Sequence, residues 1–215
     1  MTSMDIDTKK VILVDEQDQI IGSDNLYSAH RHPAQRHRAI SVWLVRGEGQ
    51  DREIFLQKRS LEKIVGADLW GNGVCGNVKP DESYIGCANR RLSEEIGVEN
   101  ISLNELYKFE YKVYSNEKYG EHEIDQVYLA YYDGQFEPNP AEVAQVQWVK
   151  LGELERRLAN LSYISAKETL VFATNQLAER TPPLELFLND KNNMITPWTA
   201  MMLFDKRLRS ALRDF

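Results

Sequence analysis

Apolar positions change their period several times along this chain, and each change predicts an element. Val11–Val14, the polar turn Asp15-Glu16-Gln17-Asp18 and then Ile20-Ile21-Gly22 predict two short strands. Ala39–Val45 (AISVWLV) is almost continuously apolar, the pattern of a strand buried on both faces. After the charged, glycine-containing turn Arg46–Glu53, Ile54–Lys58 predicts another strand, and Leu106–Tyr114, Ile124–Tyr132 and Val146–Val149 follow. Helical spacing takes over at Ser83–Ile96. There Ile85, Ala88, Leu92 and Ile96 recur at intervals of three and four, and Gly97 is placed to cap the end. Further helices are predicted at Gly152–Asn160 and Ser165–Ala178, Pro182-Pro183 marks a break, and Thr196–Asp214 reads as a terminal helix with Pro197 in its first turn. The polar stretch His30–Arg38, interrupted by Pro33, and the glycine-rich segment Leu69–Gly76 read as loops. The expectation is a mixed α/β (α+β) fold in one domain, a mixed sheet with helices packed against it.

Composition narrows the function. A net charge of −7 and a pI near 5.2 argue against a nucleic-acid binder, which presents a basic face. No run approaches the roughly 18 apolar residues of a membrane span, and the N-terminal residues lack the apolar core of a signal peptide. Cys75 and Cys87 make no disulfide framework, so a reducing cytoplasm is expected. Cys87, beside the apolar face of the helix, reads as packing, whereas Cys75 lies in a glycine-rich loop just ahead of that helix.

From Gly76 the chain reads GNVKPDESYIGCANRRLSEEIGV. This resembles the Nudix signature, a glycine, five residues, Glu, seven residues, then Arg-Glu-aliphatic-x-Glu-Glu-x-Gly-aliphatic. Glu82, Arg90, Glu94, Glu95, Gly97 and Val98 fit it, and Arg91 stands where the signature has its first Glu after the Arg. Diphosphates need hard cations and hard cations need oxygen ligands, which is what closely spaced carboxylates supply. A guanidinium at position 91 repels metal but suits a phosphate oxygen, moving the reading from hydrolysis towards holding a diphosphate intact.

The resemblance then sharpens to type 1 isopentenyl-diphosphate isomerase, over roughly Val11 to the C-terminus. Trp70-Gly-Asn-Gly-Val-Cys75-Gly76 is similar to that family's Trp-Thr-Asn-x-x-Cys-x-His segment, and Glu121-His122-Glu123 to its Glu-x-Glu. The resemblance implies one Nudix-type domain over residues 1–215, with a core at about 38–180 and the N-terminal strands and C-terminal helix as extensions. It implies Cys75 and Glu123 as the acid/base pair, Tyr111 as an active-site tyrosine, and Trp198 of Thr196-Pro197-Trp198 over the substrate. Arg59, Lys63 and Arg91 would bind the diphosphate. His30, His37, Glu121, Glu123 and Glu95 would hold metal, with Asn77 as a weaker ligand. The cofactor expected is Mg²⁺ or Mn²⁺, with Zn²⁺ the alternative for a second metal at the His/Glu site. A small-molecule diphosphate is the expected partner of a monomer or homodimer.

Those residue types suit the chemistry. Shifting an unactivated double bond needs an acid and a base on opposite faces of a flat substrate, in a pocket dry enough to protect a cation-like state. An indole face stabilises such a cation. Two departures from the family pattern stand out. Asn77 occupies the place of a histidine ligand, an oxygen donor that disfavours Zn²⁺ relative to Mg²⁺ or Mn²⁺. Leu26, beside Tyr27, occupies the place of a phosphate-binding lysine, and His32 or Lys79 are candidates to compensate for either departure. Two other readings stay open: a Nudix hydrolase of a nucleoside or prenyl diphosphate, and an isomerase-like protein repurposed for another allylic diphosphate.

Overall fold

The computed structural model describes residues 9–114, 117–160, 184–185 and 194–215. The helix expected at Ser165–Ala178 and the break at Pro182-Pro183 lie outside them. A single strand organises the rest. β3 (His37–Arg46) pairs antiparallel with β1 (Lys10–Val14), β4 (Glu53–Arg59) and β6 (Val74–Asn77), and parallel with β8 (Gly120–Tyr131). β2 (Ile20–Asn25) pairs with β1, β7 (Asn104–Tyr114) with β8, and β9 (Val143–Lys150) with β4. β5 (Trp70–Gly71), β10 (Leu184–Glu185) and β11 (Met194–Ile195) extend the sheet beyond β4.

The apolar run in β3 is buried on both faces, as its sequence predicts. Ile40, Val42 and Leu44 face one core with Leu92 and Ile96 of a helix, α2 (Tyr84–Ile96). Trp43 and Val45 face the other core, closed by the two C-terminal helices, α4 (Pro197–Phe204) and α5 (Lys206–Asp214). Helices thus cover both sides of a mixed sheet. Two further α-helices among the described residues are α1 (Leu26–His30) and α3 (Leu151–Asn160), the latter adding Leu151 and Leu154 to the Trp43 core.

Ser83 caps α2, its side chain accepting from Gly86 N, and Gly97 ends it at φ 68°, the left-handed conformation that glycine adopts freely. Four expectations are corrected. The glycine-rich segment Leu69–Gly76 is not a loop, because Trp70–Gly71 form β5 and Val74, Cys75 and Gly76 belong to β6, which makes Cys75 a strand residue paired to β3. The terminal helix is two helices, because Asp205 ends α4 in an extended conformation and its carboxylate caps α5 at Arg207 N. Ile85 is 42% exposed, so α2 buries a narrower stripe than its spacing implies. The stretch His30–Arg38 is not all loop: His30 closes α1, and His37 and Arg38 begin β3.

Candidate active site

Side chains alternate along a strand, so strand register decides which of them meet. Here His37 of β3 lies opposite Glu123 of β8, and Glu123 lies opposite Tyr111 of β7. Further along β3, Ser41 lies opposite Cys75 of β6. Residues 121, 123 and 125 are spaced by two on β8, so Glu121, Glu123 and Asp125 share one face. α1 brings His30 to the same place. A cavity of about 390 Å³ opens there, and its walls include Cys75, Glu123, Tyr111, Trp198, Arg59 and Lys63.

At one end of the cavity, ligand atoms of His30, His37, Glu121 and Glu123 all lie within 4.8 Å of one another, and all four residues are buried. Both imidazoles are oriented by backbone carbonyls: His30 Nδ1 donates to Leu26 O at 2.6 Å and His37 Nδ1 to Gln35 O at 2.8 Å. In the neutral rings each Nε2 is therefore a bare lone pair facing the carboxylates, the tautomer that binds metal. Glu121 Oε2 is 2.9 Å from His30 Nε2 and 3.8 Å from His37 Nε2, and His37 Nε2 is 3.3 Å from Glu123 Oε1. With both rings neutral, His37 Nε2 and Glu121 Oε2 are buried without a hydrogen-bond partner, whereas a protonated His30 would donate to Glu121 Oε2. Orphaned buried donors and acceptors are costly, and two inside one His/Glu group fit a cation bound among them. Asn77 joins this edge, its Nδ2 3.3 Å from His30 Nε2.

Charge here is strained. Burial disfavours a charged His30, but Glu121 and Glu123 outweigh it and push the group up to about 9. Burial and the neighbouring Glu121 charge raise Glu123. Burial and the Glu123 charge lift Asp125 well above the ordinary carboxyl range. Burial also lifts the Cys75 thiol, to about 12, with Asp125 adding to it. Tyr111 donates a short hydrogen bond to Glu123 Oε2, and its ring stacks on Trp198 at 6.1 Å and 24°. Arg59 lies against the Trp198 ring, its Cζ 5.3 Å from the ring centroid.

The opposite end is a second charged cluster. Glu95, fully buried, accepts from Gln57 Nε2 at 2.6 Å and pairs with Arg91 and with Lys63, the latter at 3.2 Å. Glu142 pairs with the same two cations. Burial opposes charge on Glu95, but Lys63 and Arg91 prevail and hold it down at about 2. Arg91 reaches this position across the β6 backbone, where a Cβ on Gly76 would fall 2.5 Å from Arg91 Cγ. Only glycine leaves that passage open.

Most of the residues singled out in the sequence are therefore brought to one cavity, but Glu95 is separated from the His/Glu group and sits among cations instead. His122 points elsewhere and pairs with Glu110 at 2.8 Å, and His32 stands outside the four-residue group. Lys79 lines the cavity near Leu26 and Tyr27. Cys87 is fully buried in the core facing α2. Sequence reasoning passed over Ser41, Asp125 and Glu142. The alternation Glu121, Glu123, Asp125 was a readable signal for the second of these, whereas nothing in the local sequence marks Glu142.

A model of the NUDIX domain family matches residues 35–169. Over 151 residues the chain is 38% identical to the isopentenyl-diphosphate Delta-isomerase of Nocardia farcinica, covering 69% of this chain and 83% of that one. The chain belongs to the isopentenyl-diphosphate Delta-isomerase family, within the NUDIX fold. An enzyme of that name from Klebsiella pneumoniae is 33% identical over 171 residues, which is 79% of this chain and 91% of its own. Among solved structures, DR0079 from Deinococcus radiodurans superposes with a TM-score of 0.56 at 23% identity, over 70% of this chain and 89% of that one, a likeness of fold. No helix among the described residues is long and apolar enough to cross a membrane.

Proposed function

We propose that this family member converts isopentenyl diphosphate to dimethylallyl diphosphate, with Cys75 and Glu123 as its proton-transfer pair. The observation that carries the reading is the placement of these two groups on strands either side of β3, both lining one cavity with Trp198. The reaction adds a proton to the terminal alkene carbon and removes one from the carbon beside the diphosphate-bearing carbon. One of the pair gives a proton while the other, unprotonated at the start, takes one. The first then regains a proton and the second loses one by exchange with solvent, so atoms and charge balance over the turnover. Burial holds Cys75 as a thiol and Glu123 above its ordinary range, so both are poised to carry protons in a site with little water. Tyr111 donates to Glu123 and steadies its carboxyl. The stacked Trp198 and Tyr111 rings provide the face over which a transient tertiary cation is stabilised.

The diphosphate is assigned to the other end of the cavity, where Arg59, Lys63 and Arg91 converge and Glu95 with Glu142 keep Lys63 and Arg91 in place. A cation arriving with the diphosphate meets Glu95 and Glu142 there. At the His/Glu end, His30, His37, Glu121 and Glu123 would hold a divalent metal, with Asn77 turning its amide oxygen inward as a further ligand. Bound there, the metal would lower the proton affinity of Glu123 and fix its orientation. Two oxygen-rich residues beside two imidazoles, with an amide as the fifth donor, favour Mg²⁺ or Mn²⁺ over Zn²⁺.

The test is NMR of isopentenyl diphosphate incubated with the protein and Mg²⁺, Mn²⁺ or Zn²⁺. Dimethylallyl diphosphate should appear, and Cys75→Ala should abolish it while leaving folding and metal content unchanged. Release of phosphate would replace this reading by hydrolysis. Unaltered substrate with every metal would overturn it.

A further inference from the structure

The Cys75 thiol has two polar neighbours that can accept its hydrogen, and Asn72 is the nearer. Asn72 commits its side-chain nitrogen to two backbone carbonyls, Val42 O at 3.2 Å and Val74 O at 3.1 Å. This assigns the orientation of the amide and leaves Oδ1 as an acceptor, 3.2 Å from Cys75 Sγ. In that contact the thiol is the donor. The same Oδ1 accepts the Thr199 hydroxyl at 3.1 Å. Thr199 Oγ1 in turn accepts from Thr196 Oγ1 at 2.7 Å and from Asn72 N at 3.2 Å, so its own hydrogen is directed at Asn72. On the other side of the sulfur, Ser41 Oγ lies 3.5 Å from Sγ and donates to Asp125 Oδ2 at 2.7 Å. Asn72, Thr196 and Thr199 are each 0% exposed.

This buried chain of hydrogen bonds runs from the sheet into the first turn of α4, where Thr196 is the N-cap and Trp198 stands between the two threonines. We propose that Thr199 and Asn72 are positioning residues for Cys75, through which the helix carrying Trp198 fixes the direction of the thiol. The inference rests on Cys75 being a proton-transfer group of the reaction proposed above. An S–H hydrogen bond is weak, so an untethered thiol samples several rotamers, whereas proton transfer to carbon needs one. The hydroxyl of Thr199 holds the Asn72 carbonyl where the thiol meets it. One helix turn therefore sets both the indole wall and the acid/base group, and the two stay in register. Asn72 and Thr199 are not among the residues lining the cavity, so they act through Cys75 and not on the substrate.

The experiment compares Thr199→Val, which keeps the shape and loses the hydroxyl, with Thr199→Ser, which keeps the hydroxyl. Three quantities are read on the full-length protein: kcat, KM for isopentenyl diphosphate, and the rate at which iodoacetamide alkylates Cys75, followed by peptide mass spectrometry. The fully buried Cys87 is the internal control. Thr199→Val should lower kcat about tenfold with KM within about twofold, and should speed Cys75 alkylation several-fold as the sulfur gains freedom. Thr199→Ser should restore both. Native kcat and native alkylation in Thr199→Val would overturn the proposal, as would a serine variant as impaired as the valine one, which would make the effect one of packing. If Thr199→Val does not fold, Thr199→Ala removes the hydroxyl without a second methyl and carries the same readouts. If the unaltered protein turns over no isopentenyl diphosphate, the function reading fails, and the alkylation comparison still decides the coupling.

Discussion

The two ends of the cavity are both buried and both charged, yet they handle charge in opposite ways. At the Arg91 end each carboxylate meets an arginine that stays charged and a lysine beside it, and these cations hold Glu95 ionised. At the His30 end the partners are imidazoles, which can discharge. There Glu121, Glu123 and Asp125 crowd one strand face, and burial together with their mutual repulsion raises Glu123 and Asp125. A charge-matched cluster gives a rigid grip for an anion that displaces or shares its carboxylates. One with carboxyl groups crowded together suits an added cation. On the function proposed above, the difference separates a binding end from a chemical end in a single cavity.

Substitutions that strike one end and spare the other should break this comparison. The largest effect is expected for Glu121→Gln, which should cut divalent-metal affinity at least about 100-fold and abolish turnover. Its stability should change little, because His30 can shed its proton once its carboxylate partner is gone; isothermal titration and a thermal melt read the two effects. Glu95→Gln should do the reverse. It leaves Lys63 and Arg91 short of a buried counter-charge and should destabilise the metal-free protein by about 2–4 kcal/mol in denaturant titration, with metal affinity at the His/Glu group preserved. A variant that lost metal as well would merge the two ends into one site.

The pH dependence should sharpen the distinction. Glu95 has its folded-state pKa depressed to about 2 from 4.5. Its contribution to stability is therefore fully present above pH 4.5 and is lost as pH falls through about 2. The acid limb of the stability curve should flatten in Glu95→Gln. A smaller effect is expected of Asn77→His, which should raise Zn²⁺ affinity about tenfold or more relative to Mn²⁺ by supplying a third imidazole. Competition titration between the two metals checks it. Smallest of all, metal binding near pH 7 should release about one proton, because His30 is raised to about 9 while a ligand must be neutral. Calorimetry in buffers of different ionisation enthalpy counts that proton, and a count of zero would remove His30 from the ligand set.

How much of this was legible in the sequence varies by element. The strand at Ala39–Val45 and the helix from Ser83 to Gly97 could be read directly, because a strand or helix period is local, and the motifs around Cys75 and Glu121–Glu123 through their resemblance to a known family. The terminal helix was misread because a spacing rule does not see the Asp205 cap. Glu95 was read as a metal ligand on its place in a motif, but the partners that surround it, Gln57, Lys63, Arg91 and Glu142, come from β4, the loop after it, α2 and the loop before β9.

The sequence by itself determined which residues can carry protons, bind phosphate or ligate a cation, and which faces of β3, β8 and α2 they occupy. Those choices follow from side-chain chemistry and from the period of each element. Only the tertiary structure decided that His37 lies beside Glu123 and Ser41 beside Cys75, that Arg91 passes over Gly76, and that Thr199 reaches Asn72. Such pairings depend on strand register and on how a distant helix docks, and the free energy fixing both comes from burying apolar surface across the whole sheet, which no local window of sequence contains.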